Sequence, residues 1–249
     1  SAASDVYKRQ LAHLLEPDLK ESFGGLRDLT ILRAIAASSL TDVDHAAIRE
    51  PAQVLLNVRD ALHQVAARPT DRLTLQEHAA VAELLGIDSG DELLRTLSQA
   101  ARTIAYRSDI AWHRVTRMTT PRRSLRNRRN SGALHDRTPL ADGVVVQDGE
   151  AVLAKSVAPE TDPILILRAA AAAAQYGLPL GPHTVEQLAT KSAPLPVPWP
   201  RAARESLVSL LGAGRNLLPV WEALDQFEVW NRLIPGWEVV RSAPQHNPL

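Results

Sequence analysis

The chain has 249 residues with 28 Lys+Arg and 28 Asp+Glu, so its formal net charge is zero and no global field selects nucleic acid or a membrane surface. Hydrophobic residues make up 45% and aromatics 4%, with no cysteine, which excludes a disordered chain, a disulfide framework and any thiolate metal site or nucleophile. No run approaches the ~18 apolar residues of a membrane span, and no basic-then-apolar leader opens the chain, so a soluble cytoplasmic protein is expected.

Ser1 to Gln10 (SAASDVYKRQ) lacks an initiator Met and matches nothing that follows, so 1–10 reads as a non-native leader. The stretch Leu15 to Leu29, LEPDLKESFGGLRDL, comes next and organises the rest. Glu16, Asp18, Lys20 and Glu21 crowd around Pro17, which fixes its own φ and disfavours helix at Glu16. Gly24 and Gly25 permit positive φ and close backbone approach ahead of an amphipathic run that opens with Leu26, Arg27 and Asp28. Two readings stand side by side: a charged surface turn capping a helix, or a helix start whose free N–H groups bind an anion.

Leu26, Leu29, Leu32 and Ile35 are spaced by three, which predicts a helix to Ser38. Thr41-Asp42 is expected to cap the next helical pattern, which runs to Ala67, with Pro51 separating a short first helix from a long second one. Thr74 is expected to cap a helix over Leu75 to Leu85 closed by Gly86, and Ser89-Gly90-Asp91 to start another reaching Val115. Between these helices lies a second polar cluster. Arg59 and His63 are four apart on one helix face, and Arg68, Asp71 and Arg72 flank a breaker at Pro69. It serves either as a polar stripe with an ion pair fixing a turn, or as a functional group facing the first motif.

Arg114 to Arg129 carries seven arginines and no acid, broken by Pro121, Asn127 and Gly132, and reads as a basic linker over 117–142. An RNA- or acidic-protein-binding arm is the alternative, though no aromatic is interleaved for base stacking. At Gly143 to Ala154 the period changes to two, around Asp148-Gly149, which predicts a hairpin. Helices follow from Asp162-Pro163 to Gly177, from His183 to Ala189, over Arg201–Leu211 and over Leu217–Phe227, with Trp221, Trp230 and Trp237 read as core anchors in preference to a docking surface. The fold class expected is mainly α: a helical bundle domain at 11–116, then 143–249 as a second helical segment carrying one β-hairpin.

No phosphate loop, dinucleotide fingerprint, G-x-S-x-G elbow or H-E-x-x-H spacing occurs. The residue order is more specific. E-P-D-L-K-E-S-F-G-G-L-R-D-L resembles a signature of bacterial PII uridylyltransferase/uridylyl-removing enzymes, departing at Ser22-Phe23, where that family commonly has Gly-Pro or a similar pair. A shorter form, D-x-K-x-x-x-G-G-x-R-[DE], occurs in glutamine synthetase adenylyltransferases, which stay open as an alternative. Leu56 to His63, Arg68 to Gln76 and the Trp-rich Leu218 to Trp237 also resemble the uridylyltransferases.

That resemblance implies an enzyme that transfers UMP from UTP to the PII signalling protein with Mg²⁺, and hydrolyses it off again under glutamine control. It implies that this chain is an interior fragment lacking both catalytic centres, with no catalytic or metal-binding residue of its own. The catalytic carboxylates would lie upstream of Leu11 and the phosphohydrolase histidines beyond Leu249. Glu16, Asp18, Lys20, Glu21, Gly24, Gly25, Leu26, Arg27 and Asp28 would line the nucleotide or substrate site. Lys20 and the Gly24, Gly25 and Leu26 amides would be its phosphate contacts, and nucleic acid is not expected as a partner.

Overall fold

The structure is a computed structural model, and it describes residues 10–39, 41, 43–119 and 137–243. The leader up to Arg9, the Asp42 cap and Arg122 to Arg129 lie outside the described residues. The chain divides into two compact units, 1–121 with 238–249, and 122–237. Both are mainly helical.

Among the described residues of its 1–121 segment the first unit holds four α-helices: α1 (Leu26–Ala37), α2 (His45–Ala66), α3 (His78–Leu85) and α4 (Gly90–Thr119). Each buries the stripe its sequence spells. Leu29, Leu32 and Ile35 of α1 meet Ile48, Leu55, Val58 and Leu62 of α2 and Leu93, Leu97 and Ile104 of α4 in one core. Each such side chain contributes about 1.5–3 kcal/mol by leaving water. α4 is the backbone of the unit, packing against α1, α2, α3 and the short 3-10 turn Leu11–His13.

Three local features differ from expectation. Pro51 sits inside an unbroken α2, because it costs the early turns one hydrogen bond while the apolar stripe runs straight across it. Asp44, whose side chain accepts from the Ala47 N–H at 3.1 Å, caps that helix. Before α3, Glu77 reaches back to the Thr74 N–H and hydroxyl, both at 2.9 Å, so Thr74 to Glu77 is a turn and the helix begins at His78.

In the second unit Asp148 and Gly149 both take positive φ, 54° and 79°, as a two-residue hairpin turn requires. The turn joins β2 (Val144–Gln147) to β3 (Glu150–Leu153), with Val144 opposite Leu153 and Val146 opposite Ala151. A third strand, β1 (Pro139–Ala141), adds antiparallel to β2 and widens the hairpin to a three-stranded sheet. The sheet lies on α5 (Leu165–Tyr176), whose small side chains let it be buried nearly all round from Leu165 to Ala174. Further helices of this unit are α6 (Pro182–Lys191), α7 (Arg201–Leu211), α8 (Leu217–Asp225) and α9 (Val229–Leu233), and α10 (Trp237–Val240) spans the boundary at 237/238. Trp230 is fully buried and anchors the core, stacked on the half-buried Trp221 at 3.9 Å, while the half-buried Trp237 meets Trp221 edge-on at 5.3 Å. Among the described residues no helix is long and apolar enough to cross a membrane.

Candidate functional site

The motif loop is anchored from its middle. Leu19 is fully buried in the first unit's core, which leaves Asp18 and Lys20 to flank it at the surface. The Leu19 N–H donates to the Asp71 carbonyl at 2.7 Å, and the Leu73 N–H to the Pro17 carbonyl at 3.0 Å. The loop is thereby stitched, strand-like, to the turn that carries the second polar cluster.

Side chains extend the seam. Glu16 pairs with Arg72 at 2.9 Å and accepts from the Leu75 N–H at 3.3 Å. Those two bonds, the backbone one first, hold its carboxyl below the usual range. Arg59 reaches from α2 to Asp71 at 2.5 Å. His63 and Arg68 stay apart: His63 buries Nε2 without a hydrogen-bond partner, and Arg68 is exposed. Of the second cluster, then, Arg59, Asp71 and Arg72 join the motif loop and the other two do not.

Within the loop, Asp18 Oδ1 accepts from the Lys20 and Glu21 N–H groups at 2.9 and 2.7 Å. Glu21 pairs with Arg27 at 2.6 Å across exposed surface. Asp28 Oδ2 accepts from the Gly24 N–H at 2.6 Å. Burial raises the Asp28 carboxyl above its ordinary value, and the Gly24 N–H and the Arg27 charge offset part of that. Ser22 and Phe23 do not prevent closure, since the Ser22 carbonyl takes the Gly25 N–H at 2.9 Å and the Phe23 carbonyl takes the Leu11 N–H at 3.0 Å.

The two glycines are needed for space. A Cβ on Gly24, at φ +87°, would stand 2.4 Å from the Ala101 carbonyl oxygen of α4. A Cβ on Gly25 would stand 2.7 Å from both the Leu19 and Ser22 carbonyl oxygens. Close packing of backbone on backbone, rather than room for a ligand, is what these positions demand.

One expectation is corrected here. The helix start was expected to present free amides from Gly24, Gly25 and Leu26. The Gly24 N–H is held by Asp28, the Gly25 N–H by Ser22, and the Leu26 N–H by the Leu19 carbonyl at 2.9 Å. The Arg27 N–H is likewise taken by the Lys20 carbonyl at 3.1 Å. The loop folds over the first turn of α1 and caps it with its own carbonyls, leaving no nest for an anion.

What remains is Lys20. Glu16, Asp18, Glu21, Arg27 and Asp28 are each engaged within the seam or the loop. Among the described residues of the motif, Lys20 is the charged side chain that is exposed and outside every ion pair. Sequence reasoning passed over His78, which is buried beside the loop with its pKa lowered, mainly by desolvation. No periodicity or motif spacing marks it.

These residues do not fit a resident Mg²⁺. Asp18 is turned onto backbone amides and Glu16 onto Arg72. Among the described residues no group of three or more His, Asp or Glu is placed to hold a metal.

Residues 3–112 match the family model described as GlnD PII-uridylyltransferase. The chain is 54% identical over 245 residues to a bifunctional uridylyltransferase/uridylyl-removing enzyme of Streptomyces coelicolor, covering 96% of this chain and 29% of the relative. It is 40% identical to the protein of that name from Mycobacterium tuberculosis, covering 94% of this chain and 30% of the relative. For Corynebacterium glutamicum the figures are 34% identity, 94% and 33%. The chain thus spans about three tenths of the length of these relatives. No solved structure matches it. The likeness to PII-uridylyltransferases on this scale runs along nearly the whole chain and through the motif loop.

Proposed function

We propose that this chain is the helical part of an enzyme that uridylylates and deuridylylates the PII signalling protein in nitrogen regulation. The transferase reaction moves UMP from UTP to PII and releases diphosphate; the removing activity hydrolyses UMP-PII with water to PII and free UMP. The observation that carries this reading is 54% identity across 96% of the chain to a protein named for both activities. That name also favours uridylyl over adenylyl transfer. Glutamine as regulator and a Mg²⁺ cofactor belong to the proposal through the resemblance alone, and the metal's ligands would be groups other than Glu16 and Asp18.

Within that enzyme Leu15 to Leu29 would form one wall of the nucleotide site. Lys20 would meet the phosphates of UTP, since its ammonium is the charge the loop leaves unspent. Glu16, Asp18, Arg27 and Asp28 hold the wall's shape by the bonds described. Arg59, Asp71 and Arg72 hold the wall to α2 and to the turn before α3.

The test is UMP transfer to PII by the full-length protein that carries this chain. Lys20→Ala is expected to raise KM for UTP by about tenfold, the loss of ~1.4 kcal/mol of binding, with no change in thermal stability. The 249-residue chain alone is expected to transfer none. Turnover by the isolated chain, or a full-length protein inert toward PII and UTP, would overturn the reading.

A further inference from the structure

Residues 238–249 belong with the first unit, and the described end of that segment lies against α4. Arg102 of α4 is only 9% exposed, and its guanidinium donates to the Arg241 carbonyl at 3.2 Å. One residue on, Ser242 is 5% exposed, and its hydroxyl is buried without a hydrogen-bond partner among the described residues.

Ser242 lines a small cleft. Its facing walls include Leu11, Leu15 and Pro17, at the entry to the motif loop, and Leu97 and Ser98 on α4. Ser98 is itself only 7% exposed. It stands four residues before Arg102, so the helix face that binds the Arg241 carbonyl also carries a second hydroxyl into the cleft wall.

A buried hydroxyl without a partner forfeits the bonds it had in water, so the site is stable when something in the cleft takes them up. Volume decides what that is. The cleft measures about 50 Å³, far below the ~300–1,000 Å³ of a pocket for a nucleotide or similar ligand. A buried water needs roughly 10–15 Å³ and two or more polar partners. A few waters therefore fit, and two hydroxyls, each able to donate and to accept, supply the partners.

We propose that Ser98 and Ser242 form a water-binding site, and that this hydrated joint fastens Arg241–Ala243 to α4 at the entry to the motif loop. Arg102 makes the direct half of the fastening and the two serines the water-bridged half. Pro17 connects the joint to the seam, since its carbonyl accepts the Leu73 N–H at 3.0 Å. The C-terminal segment and the motif loop of this unit thus share one support. That role is independent of the nucleotide-site reading.

The experiment is a double-mutant cycle on this chain by urea unfolding, with a crystal structure beside it. Ser98→Ala and Ser242→Ala are each expected to lower the folding equilibrium constant of the first unit about fivefold, because each removes one anchor of the bridge. The double variant is expected to lose about fivefold too, rather than the ~25-fold of independent sites, since either change alone already breaks the bridge. Hydroxyls without bound water behave in the opposite way: deleting an unsatisfied buried group leaves stability unchanged or raises it. A Ser242→Ala variant at or above wild-type stability, or additive losses, would overturn the proposal. In the wild-type crystal structure, ordered water is expected to bridge the two hydroxyls with contacts of ~2.5–3.0 Å. Hydroxyls bonded directly to one another, or a cleft without water in a map that shows waters elsewhere in the first unit, would overturn it as well.

Discussion

Gly24→Ala is expected to destabilise the first unit far more than the same change at Gly86, although both glycines sit at positive φ, +87° and +69°. The left-handed conformation costs either alanine about 1–2 kcal/mol. At Gly86, which ends α3, nothing stands within 4 Å of the new Cβ, so that cost is the whole effect. At Gly24 the Cβ would lie 2.4 Å from the Ala101 carbonyl oxygen and 3.0 Å from its carbon. Both atoms are backbone in the middle of α4, so no rotamer change relieves the clash.

The loop must lift instead, stretching the 2.6 Å bond from the Gly24 N–H to the Asp28 carboxylate. A hydrogen bond to a charged group contributes about 1.5–3 kcal/mol, which brings Gly24→Ala to ~2.5–5 kcal/mol against ~1–2 for Gly86→Ala. Urea unfolding of the two variants beside wild type measures the difference as a shift in midpoint at constant m. If the two variants fall within about 1 kcal/mol of one another, the loop is not seated on α4 as described and the steric account of the motif glycine fails.

Three further outcomes follow from the bonding. Glu16 has a folded pKa below the ordinary 4.5, so its contribution is present above that value and lost as pH falls through the folded one; Glu16→Gln should flatten that part of the acid limb, and an unchanged limb would contradict the pairing with Arg72 and Leu75. Arg59→Ala should cost only about 1 kcal/mol in urea unfolding, because the Arg59–Asp71 pair is about a quarter to a third exposed, and a loss several times larger would show that the pair is more than a surface clasp. Trp237→Phe removes the N–H that binds the fully buried Asp225 carboxylate at 2.6 Å; a loss of about 1–3 kcal/mol is expected in thermal unfolding of the second unit, and one under ~0.5 would show that the bond contributes little.

The helices were legible because their evidence is local. Leu29, Leu32 and Ile35 recur at the helical period and are buried as that period requires. Asp148-Gly149 declared its turn through the backbone angles it tolerates. Pro51 misled because a proline's local penalty is read at once, whereas the stripe that outweighs it is summed over several turns. The seam was not legible. Glu16 meets Arg72, and Leu19 meets Asp71, across more than fifty residues, and no periodicity links them. Residue order suggested that the two polar stretches face one another; it did not say which charges would be spent on each other. His78 left no trace at all, since a histidine at a helix start looks the same whether it is solvated or buried.

The glycine pair shows why that accounting matters for chemistry. A glycine turn ahead of a helix has two uses for its freedom: to aim N–H groups at an anion, or to bring backbone against backbone. The two compete, because the close approach that lets Gly24 sit on Ala101 and Gly25 pass the Leu19 and Ser22 carbonyls also delivers acceptors to the amides that an anion would need. Here packing wins, and the loop becomes a closed scaffold whose amides are taken up by its own acceptors. Under the proposed reading, the Lys20 ammonium on its four-carbon stem would meet a phosphate as a point charge, without the directional demands of an amide cradle. Such a contact would tolerate small shifts of the phosphate but depend on where the loop holds the lysine's Cα, and that position is set by Leu19 and by the seam to Asp71 and Leu73.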